Sequence, residues 1–281
     1  MRISVTVVAT DTSFPVALLA RAVEDRGLHG MWLPDHTHIP ICRTSPYPLG
    51  GDLPARYTRI LDPFVALGAA AAVTSTLRLG TGILLVAQRE PIATAKALAT
   101  LDHLSGGRLR VGIGYGWNIE EMVDHGVDPA SRRRRTREHA LAMRCLWEDE
   151  AASFAGEHVT LSPSWQWPKP RQRPLPVFVG GAANETTFKH IAEFGHGWIP
   201  MGARGLRDGI VRLHELVADA GRDPADIEIV PFTADASHAK LDHFEAAGVR
   251  ECAFELPSGP ADLVLPVLDA LASLSAERSL P

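Results

Sequence analysis

Residues 77–117, LRLGTGILLVAQREPIATAKALATLDHLSGGRLRVGIGYGW, decide the fold. Leu77 to Ile83 is a short apolar run closing on Gly80, Thr81 and Gly82, which suits a fully buried strand. After a brief loop, Pro91 stands where the first turn of a helix tolerates a residue without an N–H. Leu98, Leu101 and Leu104 then repeat at helical spacing, and Gly106 is placed to end that helix. A second apolar strand, Leu109 to Ile113, closes on Gly112, Gly114 and Gly116. A parallel strand–helix–strand unit brings both glycine-rich ends to one face. There glycine permits close approach of a ligand, or backbone angles a side chain forbids.

The alternation continues on either side of this unit. Residues 3–8 predict strand one and Gly30 to Pro34 strand two, with a helix from Ala17 to Arg26 between them. A long loop from Asp35 to Arg59 follows, of a length that is usually functional. Asp62 then caps a helix that has Pro63 at its first position. Residues 119 onwards predict the start of a helix on which Glu120 and Glu121 face solvent, and Arg132 to Trp147 predict a longer one. Residues 150–175 break the pattern and read as a small hairpin with a proline-rich return. Pro176 to Gly180, Trp198 to Met201, Ile227 to Phe232 and Glu251 to Phe254 complete the strands, each with a helix behind it. Eight strand–helix units in one α/β chain predict a single (β/α)8 TIM barrel over residues 1–281. Its active face lies at the strand C-terminal ends.

Composition narrows the setting. The chain has 281 residues, 46% hydrophobic and 22% charged, enough for a large core. Cys42, Cys145 and Cys252 lie far apart with no CxxC, so a reducing cytoplasm is expected rather than a disulfide framework. The opening MRISVTVVATD carries no basic-then-apolar leader, and no apolar run approaches the roughly 20 residues of a membrane span. A net charge of −5 gives no pull towards nucleic acid. The run Arg132 to Arg135 reads as a solvated helix face, or as a reach towards an anionic cofactor tail.

The loops after the strands carry the candidate chemistry. Strand two yields Asp35, His36, Thr37 and His38; strand three yields Thr81, Gly82 and Ile83; strand four yields Gly114, Tyr115, Gly116, Trp117 and Asn118. Strand five yields Gly180, Gly181 and Ala182 before a helix whose free N–H groups suit a phosphate. His36-x-His38 suits a metal, but a metal site needs further ligands on later strands. His190 falls inside a helix, His196 precedes its strand and Glu255 is a weak substitute, so no metal is expected. GIGYG has GxGxG spacing rather than GxGxxG, which disfavours a dinucleotide-binding fold.

VEDRGLHGMWLPDHTHIP, the 77–117 stretch continuing to NIEEM, PVFVGGA and GHGWIP together resemble the luciferase-like monooxygenase superfamily, and within it the coenzyme F420-dependent oxidoreductases. The resemblance covers residues 1 to 200 well and the last quarter weakly. It implies a (β/α)8 barrel with an insertion after strand four, and a deazaflavin (F420) or flavin (FMN) ring in the barrel mouth. It further implies a non-proline cis peptide at Gly82–Ile83 against the ring. His36, paired with Asp35, would lie near the hydride-exchanging carbon, and Gly180, Gly181 and Ala182 would hold the cofactor phosphate. An imidazole suits stabilising charge or passing a proton there, because it titrates near neutrality. Thr81, Gly114 and Gly116 complete the expected cofactor contacts. Sugar-phosphate dehydrogenases of the group carry Glu after the strand-four glycines; Trp117 stands there instead, which implies a more apolar substrate pocket. The expected activity is F420-dependent hydride transfer with a small organic substrate. The alternatives are an FMN monooxygenase using oxygen and a non-catalytic flavin or deazaflavin carrier. Relatives are often homodimers, which points to the helices near strands two to four as an interface.

Overall fold

The computed structural model describes residues 1–201, 205–234 and 236–278. The strands are β1 (Arg2–Thr6), β2 (Gly30–Leu33), β3 (Arg78–Leu84), β4 (Leu109–Ile113), β5 (Ala152–Ala155), β6 (Thr160–Ser164), β7 (Val177–Gly180), β8 (Gly197–Ile199), β9 (Glu228–Ile229), β10 (Phe232–Thr233) and β11 (Glu251–Glu255). The helices are α1 (Val16–Asp25), α2 (Pro63–Val73), α3 (Pro91–Leu104), α4 (Ile119–Asp124), α5 (Arg132–Glu148), α6 (Glu185–Phe194), α7 (Leu206–Asp219), α8 (His238–Ala246) and α9 (Ala261–Glu277). None of the described helices is long and apolar enough to cross a membrane.

Among the described residues, nine strands form one sheet in the order β10-β11-β1-β2-β3-β4-β7-β8-β9, with every pairing parallel. The two ends of that order, β9 and β10, are separated in sequence only by Val230 and Pro231. The sheet therefore curls on itself through this step. Residues 227–232 predicted one continuous strand, and here the structure differs. Pro231 has no N–H to give to a ladder, so pairing breaks around it. β9 pairs with β8 on one side and β10 with β11 on the other. The gap is bridged by Val230 N–H on the Trp198 carbonyl and Ala253 N–H on the Pro231 carbonyl. β5 and β6 stand apart as a two-stranded antiparallel hairpin.

Local signals explain the elements. The Asp62 carboxylate accepts from Phe64 N–H and Val65 N–H at the start of α2, with Pro63 in the first turn. Glu90 caps α3 in the same way ahead of Pro91. One apolar layer joins the outer face of the strands to the helices and contains Leu79, Val111, Leu98 and Ile191. A second, smaller cluster fills the barrel: Trp32, Phe178, Ile199, Val230 and Ala253. Those two aromatics require small neighbours. A Cβ on Gly80 would stand 2.2 Å from the Trp32 ring, and one on Gly197 2.2 Å from the Phe178 ring.

Candidate active site at the barrel mouth

His36 lies just past the end of β2 and is 8% exposed. Its Nδ1 is 2.6 Å from Glu121 Oε2, and Trp117 Nε1–H donates to its Nε2 across 3.2 Å. An indole N–H can only donate, so Nε2 is an acceptor and Nδ1 carries the proton towards the carboxylate. The imidazole is thereby set in one tautomer, with its Nε2 lone pair turned to Trp117. Glu121 is fully buried, and its other oxygen accepts from Thr37 N–H at 3.1 Å.

The expectation that Glu120 and Glu121 face solvent is corrected. α4 has only six residues and begins directly at the mouth, capped by the Asn118 side chain on Glu121 N–H. Its first-turn carboxylates meet the loop after β2, whose backbone donors would otherwise lack partners. Glu121 takes Thr37. Glu120 takes the N–H and hydroxyl groups of Thr44 and Ser45, which hold its carboxyl down at about 2. The sequence signal that pointed inward is Asn118 followed by Met122, which is also buried.

Asp35 is buried too, but both its oxygens are engaged. It accepts from Arg89 Nε–H and Nη2–H at 2.9 and 2.6 Å and from Leu85 N–H at 3.0 Å. Its place is to fasten the end of β2 to the turn after β3, which orients His36 from behind. Trp117, by contrast, meets His36 directly, with ring centroids 5.6 Å apart. Tyr57 and Tyr47 complete an aromatic wall: Tyr57 lies 5.8 Å from the His36 ring, and the two tyrosine hydroxyls are 3.1 Å apart. Burial pushes the Tyr57 hydroxyl well above its ordinary value, so it stays protonated as a donor.

The Gly82–Ile83 peptide is cis, as the resemblance implies. The glycines around it make room for its side chain. A Cβ on Gly114 would come 2.5 Å from Ile83 Cδ1, and one on Gly180 2.6 Å from Ile83 Cγ2. Both positions are small because the Ile83 side chain lies across them. Gly82 itself faces Phe232, 2.8 Å from a Cβ placed there. Thr81 is fully buried and donates its hydroxyl to the Gly112 carbonyl at 2.7 Å, so it ties β3 to β4. Gly116 has φ +76°, a left-handed angle that favours glycine, and turns the chain towards Trp117.

Gly181 and Ala182 lie in the loop before α6. Ala182 is exposed, and Asn184 caps the helix on Thr187 N–H at 3.0 Å. Arg133 reaches this loop from α5, donating to Asn184 Oδ1 at 3.3 Å and resting 5.1 Å over the Tyr115 ring. The Tyr115 hydroxyl in turn lies 2.9 Å from His190 Nδ1. A helix N-terminus with an arginine beside it suits a phosphate.

His38 adds a group the sequence reading missed: His38, Glu121 and His125 bring ligand atoms within 4.8 Å of one another. The Thr37 hydroxyl stands between the two imidazoles, 3.0 Å from His38 Nδ1 and 2.6 Å from His125 Nε2. His38 Nε2 faces Asp124 at 3.0 Å, so the ring nitrogens already have hydrogen-bond partners.

The model of the luciferase-like monooxygenase family matches residues 13–245. The chain belongs to that family. It is 44% identical over 268 residues to the uncharacterized protein Rv0953c of Mycobacterium tuberculosis, covering 94% of this chain and 95% of the relative. It is 31% identical over 198 residues to an F420-dependent glucose-6-phosphate dehydrogenase of Kineococcus radiotolerans, covering 68% of this chain and 53% of that enzyme. The crystal structure of the monooxygenase RslO1 from Streptomyces bottropensis superposes with a TM-score of 0.80 at 20% identity over the whole of both chains. Family members are oxidoreductases and monooxygenases, and the fold is theirs.

Proposed function

We propose that the chain is an F420-dependent oxidoreductase that moves hydride between the deazaflavin and a small organic substrate bearing a hydroxyl or carbonyl at the reacting carbon. The observation that carries this reading is the pair of His36 and Glu121, a buried imidazole whose Nδ1 meets the carboxylate and whose Nε2 accepts from the Trp117 indole. The 31% identity to an F420-dependent dehydrogenase supports the choice of cofactor. The mouth suits such a group. The Arg133-flanked N-terminus of α6 suits its phosphate, and Asn118, 1% exposed, keeps an Nδ2 donor with no partner among the described residues. Bound there, a deazaflavin supplies two-electron acceptance of hydride. The chain's own residues manage the proton. A substrate hydroxyl takes the place of the Trp117 indole N–H at His36 Nε2, and its proton passes to that nitrogen as hydride leaves the carbon. Glu121 then faces an imidazolium at 2.6 Å, and the pair is neutral overall. In the reverse direction the imidazolium returns the proton to a carbonyl oxygen. Asp35 and Arg89 fix the His36 backbone, and Trp117 with Tyr47 and Tyr57 excludes water from the site. The β5–β6 hairpin is the segment we assign to the family's insertion after the fourth barrel strand.

A second reading, a monooxygenase that uses reduced FMN and oxygen, draws on the family's description and on Trp117 at the position where sugar-phosphate dehydrogenases carry glutamate. Fluorescence titration of the cofactor-free protein with F420 and, separately, FMN tests the choice. Micromolar or tighter F420 binding with weak FMN binding is the expected result; the reverse preference overturns it in favour of the monooxygenase.

A further inference from the structure

His36-x-His38 lacks further metal ligands on the later strands, but the fold brings them from another element. Glu121 lies in α4 and His125 directly follows its last residue, at the spacing that puts two side chains on one helix face. Ligand atoms of His38, Glu121 and His125 lie within 4.8 Å of one another. The motif thus divides: His36 serves the barrel mouth, and His38 turns to α4.

The hydrogen bonds around these groups are of the kind found behind metal ligands. His38 Nε2 faces Asp124 Oδ2 at 3.0 Å. An ionised carboxylate only accepts, so in the neutral ring Nε2 carries the proton and Nδ1 keeps a lone pair. Metal-binding histidines characteristically give their second N–H to a carboxylate in this way. That Nδ1 and His125 Nε2 converge on a single atom, the Thr37 hydroxyl oxygen, at 3.0 and 2.6 Å. Thr37 therefore marks the point at which both imidazoles aim. Glu121 is the third donor. An ionised carboxylate offers about four lone-pair sites, and two are taken, by His36 and by Thr37 N–H. Neither His38 nor His125 is buried, so both rings can turn. Ligands about 2.0–2.1 Å from a tetrahedral zinc ion stand about 3.4 Å apart, which a side-chain rotation reaches from the spacing here.

We propose that His38, Glu121 and His125 form an inhibitory site for a divalent metal ion of the Zn(II) type, the class that imidazole and carboxylate donors suit. Asp124 stands behind His38, and water completes four-coordination as the Thr37 hydroxyl turns aside. The inhibition follows from Glu121, which the ion shares with His36. A dication on that carboxylate opposes the positive charge His36 acquires when it takes a proton, so occupation halts turnover. This consequence rests on the proton role proposed above for His36; the metal site itself does not.

Co(II), which takes zinc sites and absorbs strongly in the visible when four-coordinate, is the probe. The purified protein is expected to bind one Co(II) with such a spectrum and to release it to Zn(II). His38→Ala and His125→Ala should each lose the spectrum while melting near the native temperature. Asp124→Ala should weaken binding by about 10–100-fold, the usual loss for a partner behind a ligand. In ¹⁵N-labelled native protein, Zn(II) should shift the His36 ring signals; in His125→Ala it should not. Zn(II) should also abolish native turnover and spare that of His125→Ala, whose metal-free rate stays native. Absence of the four-coordinate spectrum, or its persistence in His125→Ala, would overturn the site. So would its loss in His158→Ala alone, which would put the metal at the separate group of Glu138, Glu157 and His158. Metal binding that leaves the His36 signals in place would overturn the inhibition. Shifted His36 signals with undiminished turnover would uphold the metal site and overturn both the inhibition and the proton role of His36.

Discussion

Ionisable groups are buried at both ends of this barrel, and they are connected in opposite ways. At the bottom, where the strands begin, Arg110 projects inward and contacts both Glu251 oxygens at 2.7 and 2.8 Å. Its other amino group meets Glu228 at 2.9 Å, Ser4 donates to Glu251 at 2.7 Å, and the Trp32 and Phe178 rings lie 4.8 and 4.4 Å from the guanidinium carbon. Both terminal amino groups of Arg110 and both Glu251 oxygens have partners, and arginine does not give up its proton. At the top, Glu121 faces not an arginine but an imidazole, and the imidazole keeps one nitrogen with a lone pair. A carboxylate with a permanent cation makes a brace. A carboxylate with an imidazole that keeps a lone pair suits taking up a proton. The difference lies in the partner, since both carboxylates are almost wholly buried.

The comparison is broken most sharply at His36. His36→Ala should lower turnover by about 10²–10⁴-fold, the range for a general acid–base group, and leave cofactor affinity near that of the native chain. Equal losses of turnover and cofactor affinity would make it a binding residue, and the top no more reactive than the bottom.

Next comes the brace. Glu251→Ala leaves the buried Arg110 with only the partly exposed Glu228 as an acidic partner, and breaking such a buried pair should cost about 3–5 kcal/mol in urea unfolding. Replacing both partners by apolar residues, Arg110→Met with Glu251→Leu, should recover most of that loss, because the pair's desolvation cost goes with it. Burial alone would raise the Glu251 carboxyl, but Arg110, with His29 and Ser4, brings it below its ordinary value. A folded pKa below the unfolded one means the contribution is present above roughly pH 4.3 and lost as pH falls through the folded value. Glu251→Gln should therefore flatten the acid limb of the stability profile. A limb of unchanged steepness would show that the brace is not what acid breaks.

Much of the barrel was legible because its signals are local. β4 spans Leu109–Ile113 as the apolar run predicts, and Asp62 with Pro63 opens α2 by its cap and its proline. What was not legible depends on which side of a strand or short helix faces in. Arg110 sits in a strand that reads as apolar. Alternation along LRVGI sends Leu109, Val111 and Ile113 to the outer layer and Arg110 inward with Gly112. The strand-end glycines read as room for a ligand; that Gly114 and Gly180 also make room for Ile83, and Gly80 for Trp32, did not show. Neither collision can be seen without the cis peptide and the register. Glu121 escaped because a six-residue helix offers too few turns for a periodic signal, and its partner His36 lies 85 residues away.

Glu121→Gln is the finest test of the comparison, since it changes one charge and almost no volume. A carboxylate that orients and charges an imidazole typically matters by about 10–100-fold, so turnover should fall by that much, less than on loss of His36 itself. Gln can accept His36 Nδ1–H or Thr37 N–H through its single carbonyl oxygen, but its amide group cannot accept the other. The tautomer is thus the direct readout. In ¹⁵N-labelled native protein, His36 should show protonated Nδ1 and unprotonated Nε2; in Glu121→Gln the two forms should mix. Trp117→Phe sharpens the result, because it removes the donor to Nε2 while leaving Glu121 in place. The Nδ1–H tautomer should survive in that variant if the carboxylate sets it. Its loss there, with its retention in Glu121→Gln, would move control of the proton from the carboxylate to the indole, and the top of the barrel would then differ from the bottom by its aromatic wall rather than by its acid.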